Sequence, residues 1–129
     1  MAGFESDWRD TYPGINAVTL MEMLAKPDSR QGDLLPVVRY SALQRIRSNG
    51  DYWDHATLME AAVLSRAEEE ALDMAAATCA RATKPWELAT TLGNLADICA
   101  ARQSRGETLE WLDDIIRSLQ KKKSMLEAS

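Results

Sequence analysis

Two short stretches of this chain occur twice, at a spacing that strongly restricts its fold. Thr19-Leu20-Met21-Glu22 returns as Thr57-Leu58-Met59-Glu60, 38 residues on, and Trp53-Asp54-His55-Ala56-Thr57 returns as Trp86-Glu87-Leu88-Ala89-Thr90, 33 residues on. A self-similarity of that period marks stacked helical hairpins, in which each unit buries its apolar face only against its neighbours. Arrays of this kind usually bind other proteins.

The remaining pattern fits. Ala and Leu are frequent, Phe occurs once, and the 6 glycines and 4 prolines cluster at boundaries. That is the composition of an all-helical protein. With 46% hydrophobic residues in 129, the chain can fill the core of one domain.

Six helices follow from periodicity and punctuation. Residues 1–10 read as an extended lead-in. A first helix starts after Pro13-Gly14, carries Val18, Leu20, Met21 and Leu24, and stops before Pro27. Asp33 is placed to cap the second, with Pro36 in its first turn, where amides are free anyway. Leu35, Val38, Ala42 and Ile46 recur at helical spacing until Ser48-Asn49-Gly50.

Asp51 caps the third helix, which runs from Tyr52 to about Ser65. Glu68, Glu69 and Glu70 open the fourth, where the helix dipole favours acids. Pro85 suits the first position of the fifth, which Gly106 ends. The sixth carries Trp111, Leu112, Ile115, Ile116 and Leu119. The expectation is all-α: six helices in three antiparallel hairpins, forming a tetratricopeptide-like right-handed array over residues 11–120. Residues 121–129 read as a basic, frayed tail. Ala61, Ala62, Ala75, Ala76, Ala77, Ala80 and Ala96 are small enough to let helix axes approach closely.

Composition also excludes functions. A net charge of −5 argues against general nucleic-acid binding, which rests on neutralising phosphates. Lys121-Lys122-Lys123 reads as a solvated helix end. No run approaches ~20 apolar residues, so no membrane span is expected. The start, Met1 to Asp7, lacks the basic and apolar regions of a signal peptide. Cys79 and Cys99 have neither metal nor redox spacing and read as reduced core residues of a cytoplasmic protein. No cofactor is expected.

No residue set assembles catalytic or metal chemistry. His55, the single histidine, has no His or Cys partner at ligand spacing and reads as a helix-surface residue or a hydrogen-bonding residue between repeats. Asp113-Asp114 with Glu107 and Glu110 fits no calcium loop and reads as a solvated acidic first turn. Trp53, Trp86 and Trp111 read as packing anchors between hairpins. Arg39, Arg45, Arg47, Arg102 and Arg105 either pair with nearby acids or line a groove for an acidic partner segment.

Asp10-Thr11-Tyr12-Pro13-Gly14-Ile15-Asn16-Ala17 is the most distinctive segment. With Asp51-Tyr52-Trp53-Asp54-His55-Ala56-Thr57 and Trp111-Leu112-Asp113-Asp114-Ile115-Ile116, it resembles the TRAFs-binding domain of apoptosis signal-regulating kinases, which has bacterial relatives. The likeness runs from about Phe4 to Leu119, and Asp10, Tyr12, Pro13, Gly14, Asn16, Tyr52 and Trp53 carry most of it. It implies a tetratricopeptide-like fold in a regulatory or scaffolding protein. Because the signature begins almost at residue 1, the chain is expected to be a module of a longer one. No kinase signature accompanies it, so kinase activity does not carry over.

The function expected is a non-enzymatic protein–protein interaction or regulatory scaffold module, acting on a protein partner or an adjacent domain. Its concave groove is predicted to present Asn16, Thr19, Met23, His55, Met59, Thr90 and Asn94. The alternative is a domain that senses a nucleotide or other small anion for an attached effector, motivated by the Pro13-Gly14 helix start and nearby arginines. Homo-oligomerisation through an exposed end of the array stays open.

Overall fold

A computed structural model describes residue 22 and residues 30–128, the Asn49 side chain excepted. Among these residues the fold is all-α, with five helices and no strand: α1 (Gln31–Asn49), α2 (Tyr52–Leu64), α3 (Glu68–Arg81), α4 (Pro85–Ser104) and α5 (Glu110–Glu127). The first predicted helix, the lead-in and the Tyr12-Pro13-Gly14 segment lie outside the described residues.

Local chemistry sets most boundaries. Asp51 Oδ1 accepts from Asp54 N at 3.0 Å and Asp54 Oδ2 accepts from Asp51 N at 3.2 Å, a reciprocal cap for α2. Pro85 occupies the first position of α4, and Glu87 Oε1 accepts from Thr83 N and Lys84 N at 3.0 and 3.1 Å. Asp54 and Glu87 are the acids of the two Trp-acid repeats. The repeat is therefore, first of all, a helix start signal used twice.

The helix ends are as specific. At α4, Gly106 N donates to Gln103 O and Glu107 N to Arg102 O, with Gly106 at φ +80°. This is a Schellman turn with glycine in its usual left-handed position. The end of α2 has the same pattern, Arg66 N to Val63 O and Ala67 N to Ala62 O, yet Arg66 holds the left-handed position at φ +59°. Only a residue held by other contacts stays there cheaply.

Two boundaries differ from the sequence expectation. α1 begins at Gln31, and Asp33 lies in its first turn, because Arg30 O already accepts from Asp33 N and Leu34 N. α5 continues through Lys121-Lys122-Lys123 to Glu127, supported by the part-buried Leu126 and by Lys123 pairing with Glu127 at 3.2 Å.

α2 lies at the centre. It packs against α1, α3 and α4, and every residue in it except Trp53 is buried. Its polar residues Asp54, His55, Thr57 and Glu60 are buried along with the apolar ones, so neighbours cover it on nearly all sides. α5 packs across α3 and α4. These neighbour relations fit a helical-repeat, tetratricopeptide-like arrangement. Leu35 and Val38, Met59 and Val63, Ala71 and Ala75, Leu88, Leu95 and Ile98, and Leu112, Ile115 and Leu119 share one core. Of the alanines proposed for close packing, Ala61, Ala62 and Ala75 are buried, while Ala76, Ala80 and Ala96 are exposed. The α1–α2 turn is equally tight: a Cβ on Gly50 would lie 2.7 Å from the Ile46 Cα, so glycine is required there.

Candidate interaction site

α2 and α4, the two helices that carry the Trp-acid repeat, lie side by side, and their seam has two different ends. At the N-terminal end the contacts are aromatic and neutral. Trp53 and Trp86 rings lie 5.7 Å apart, and Tyr52 meets Trp53 edge-on at 4.9 Å. Tyr52 Oη donates to Glu87 O at 3.1 Å and lies 2.6 Å from Thr91 Oγ1. Burial pushes the Tyr52 phenol well above its ordinary pKa, so it stays a neutral donor.

At the C-terminal end the contacts are ionic. Glu22 is fully buried, and its carboxylate accepts from Arg102 Nε at 2.5 Å and Gln31 Nε2 at 3.3 Å, with Arg105 Nη2 at 3.3 Å and Arg66 Nη2 at 3.7 Å as ion-pair contacts. Arg105 Nη1 also donates to Glu22 O at 2.7 Å. Arg102, 1% exposed, donates in addition to Val63 O and Leu64 O at the end of α2. Arg66 and Glu107 form a two-pronged pair at 2.7 Å on each arm. Cations thus converge on the carbonyl ends of α2 and α4, where the helix dipoles are negative. The pair also ties the left-handed Arg66 of one Schellman turn to Glu107 of the other.

Between the two ends sits a third kind of contact. Glu60, 3% exposed, accepts from Asn94 Nδ2 at 3.0 Å. Burial drives its carboxyl up to about 7, against a smaller lowering by Asn94. Asp54 is raised to about 6, chiefly by burial.

The predicted groove residues are distributed over quite different environments. Asn16, Thr19 and Met23 lie outside the described residues. Met59 and His55 are buried, at 0% and 6% exposure, and His55 Nδ1 donates to Asp51 O at 2.8 Å, inside its own helix start. Thr90 is exposed and Asn94 half-buried, both on α4. Trp86 is 56% exposed beside them. Sequence reading passed over the Glu22–Arg102 contact, although the repeated Thr-Leu-Met-Glu ending in an acid was the available signal.

Among the described residues no group of three or more His, Cys, Asp or Glu could hold a metal ion. Both cysteines are free and half-buried. No described helix is long and apolar enough to cross a membrane. The family model described as the MAP3K TRAFs-binding domain matches residues 1–116. The chain belongs to that family. No curated protein and no solved structure matches it. Membership makes the chain a non-enzymatic protein-interaction and regulatory module, so the surface that receives a partner matters more than any reactive group.

Proposed function

We propose that this MAP3K TRAFs-binding domain module docks a protein partner along the outward face of α4, within a right-handed array of three hairpins spanning residues 11–120. The observation that carries the reading is Trp86, 56% exposed although its ring rests on Trp53. Large aromatic side chains anchored on one face and open on the other are the residues that dominate binding energy at protein interfaces. Thr90 lies one turn on and Asn94 at the margin, so among the described residues the groove expected from the sequence narrows to these two and Trp86. Among the described residues, burial of His55 and Met59 gives them a supporting part instead.

The family description names TRAF proteins, which makes a TRAF-type domain the first partner to test. The test compares capture of such a partner by the native chain, by Thr90→Lys, and by Ser118→Lys on the exposed side of α5. Loss with Thr90→Lys alone supports the α4 face. Equal capture by all three chains places binding elsewhere.

A further inference from the structure

Glu60 sits between the two ends of the α2–α4 seam without the counter-charges that Glu22 receives. It is 3% exposed, and its donor is the neutral Asn94 Nδ2 of α4 at 3.0 Å. A carboxylate accepts up to about four hydrogen bonds, and a buried charge short of both donors and an opposite charge is costly. The helices around α2 bring no such charge among the described residues. Arg39 of α1 is bound to Glu70 of α3, Arg45 of α1 acts on Asp54, and Arg81 of α3 donates to Gly50 O. On α4, Arg102 is turned to Glu22 and Glu87 to its own helix start. The other charged residues of α1, α3 and α4 are exposed. Of the remaining titratable groups, His55 is bound to Asp51 O, and Cys79 of α3 acts on the neutral Tyr52 phenol, which feels Glu60.

Asn94 joins this acid to the outer side of α4. It is half-buried, one turn beyond the exposed Thr90, and its side chain reaches inward to Glu60. The two ends of the seam are held separately, by Tyr52 with Thr91 and Glu87 O, and by Arg102 with Val63 O and Leu64 O. The middle therefore depends on whether Glu60 carries a proton. A neutral acid tolerates a dry seam with one donor. A carboxylate lacks donors there and draws in water, which moves Asn94 and the turn of α4 that carries it.

We propose that Glu60 and Asn94 form a proton-operated latch. With Glu60 protonated, the middle of the α2–α4 seam is dry and closed, and the Thr90–Asn94 edge is preorganised for a partner. With Glu60 ionised, the seam admits water and that edge loosens, so docking weakens. The inference rests on α4 being the docking face. Burial sets the working range, since it raises the carboxyl to about 7. In the hydrated seam the carboxyl returns towards its ordinary 4.5, so the closed form holds the proton more tightly. Closure is therefore most favoured below about pH 4.5, and the advantage is lost as pH rises to about 7. Acidification closes the latch.

The test is amide hydrogen exchange of the full chain at pH 5 and pH 8, corrected for the intrinsic pH dependence of exchange. Residues 91–98 of α4 are compared with residues 112–119 of α5, and the Asn94 side-chain amide is followed by NMR over the same range. In the native chain, protection of the α4 residues should fall by about tenfold or more, with α5 level. The Asn94 amide signals should move with the midpoint of the Glu60 carboxyl. Glu60→Gln is neutral at every pH and keeps Asp54, so it should abolish both changes. An equal fall in α4 and α5 overturns the inference, because it means a global loss of stability. An equal fall in native chain and Glu60→Gln also overturns it, as does an Asn94 amide that stays still while Glu60 titrates. Capture of a TRAF-type domain should weaken from pH 5 to pH 8 for the native chain more than for Glu60→Gln. Capture that is lost with Thr90→Lys, yet has the same pH response in native chain and Glu60→Gln, sinks the latch and spares the docking face. A Glu60-dependent seam in a chain whose capture ignores Thr90→Lys does the reverse.

Discussion

Glu22 and Glu60 close the two copies of one tetrapeptide, and both are buried, yet their surroundings are opposite. Glu22 is gripped by Arg102 and Arg105, with Arg66 close by, while Glu60 has one neutral donor, Asn94, at 3.0 Å. The repeat sets where an acid goes; the neighbouring helices decide what the burial costs. At Glu22 opposite charges offset the loss of water. At Glu60 nothing ionic does among the described residues, and the carboxyl holds its proton up to about pH 7. One acid is part of a clamp across 80 residues of sequence, and the other responds to protons at a helix seam.

The comparison breaks most visibly at Glu22. Glu22→Gln leaves Arg102 buried without its counter-charge and should cost about 3–5 kcal/mol, read as a lower urea midpoint. A loss below ~1 kcal/mol would mean that the carbonyls of Val63 and Leu64 are sufficient for Arg102.

Glu60→Gln should move stability the other way. A carboxyl whose folded pKa is raised binds more protons in the native state. It therefore stabilises below its unfolded pKa of 4.5, and that contribution is lost as pH rises through about 7. A neutral amide removes the penalty, so at pH 8 the variant should gain up to about 3 kcal/mol. Its stability should also be flatter than that of the native chain between pH 5 and 8. A pH dependence equal to the native one would assign the proton to another group, with Asp54 the next candidate.

Asn94→Ala sharpens the same point at smaller size. Loss of the donor should cost about 1 kcal/mol at neutral pH and push the Glu60 midpoint further up, followed by carboxyl NMR titration. An unmoved midpoint would show that Asn94 does not stabilise the charged form. The smallest effect belongs to Glu107→Gln. The Arg66–Glu107 pair is partly exposed, 43% and 30% for its two side chains, and should contribute no more than ~1 kcal/mol, fading with salt. Glu107→Gln at high salt should therefore match the native chain in thermal midpoint.

What was legible in the sequence was local. Asp51 at a cap, Pro85 at a first turn and Gly106 past an end act through neighbours one to five residues away, and each does its expected work. The start of α1 and the end of α5 were harder, because Arg30 O caps through the backbone and the Lys run is held by the part-buried Leu126. Arg66 in a left-handed turn could not be read at all, since its neighbours suggest no glycine-like position and its guanidinium partner lies 41 residues away. Arg102 and Arg105 were recognised as the arginines ending a helix, but their buried acid was not.

The sequence by itself determined the helical class, the starts of α2, α3 and α4 and the repeat, because capping, proline sterics and apolar periodicity act over a few residues. Only the tertiary structure decided that α2 is buried nearly all round and that Trp86 stays open. It also decided that one repeated glutamate meets arginines and the other an amide. Those outcomes depend on desolvation, which is fixed by every neighbour a side chain has in space and by none of them along the chain alone.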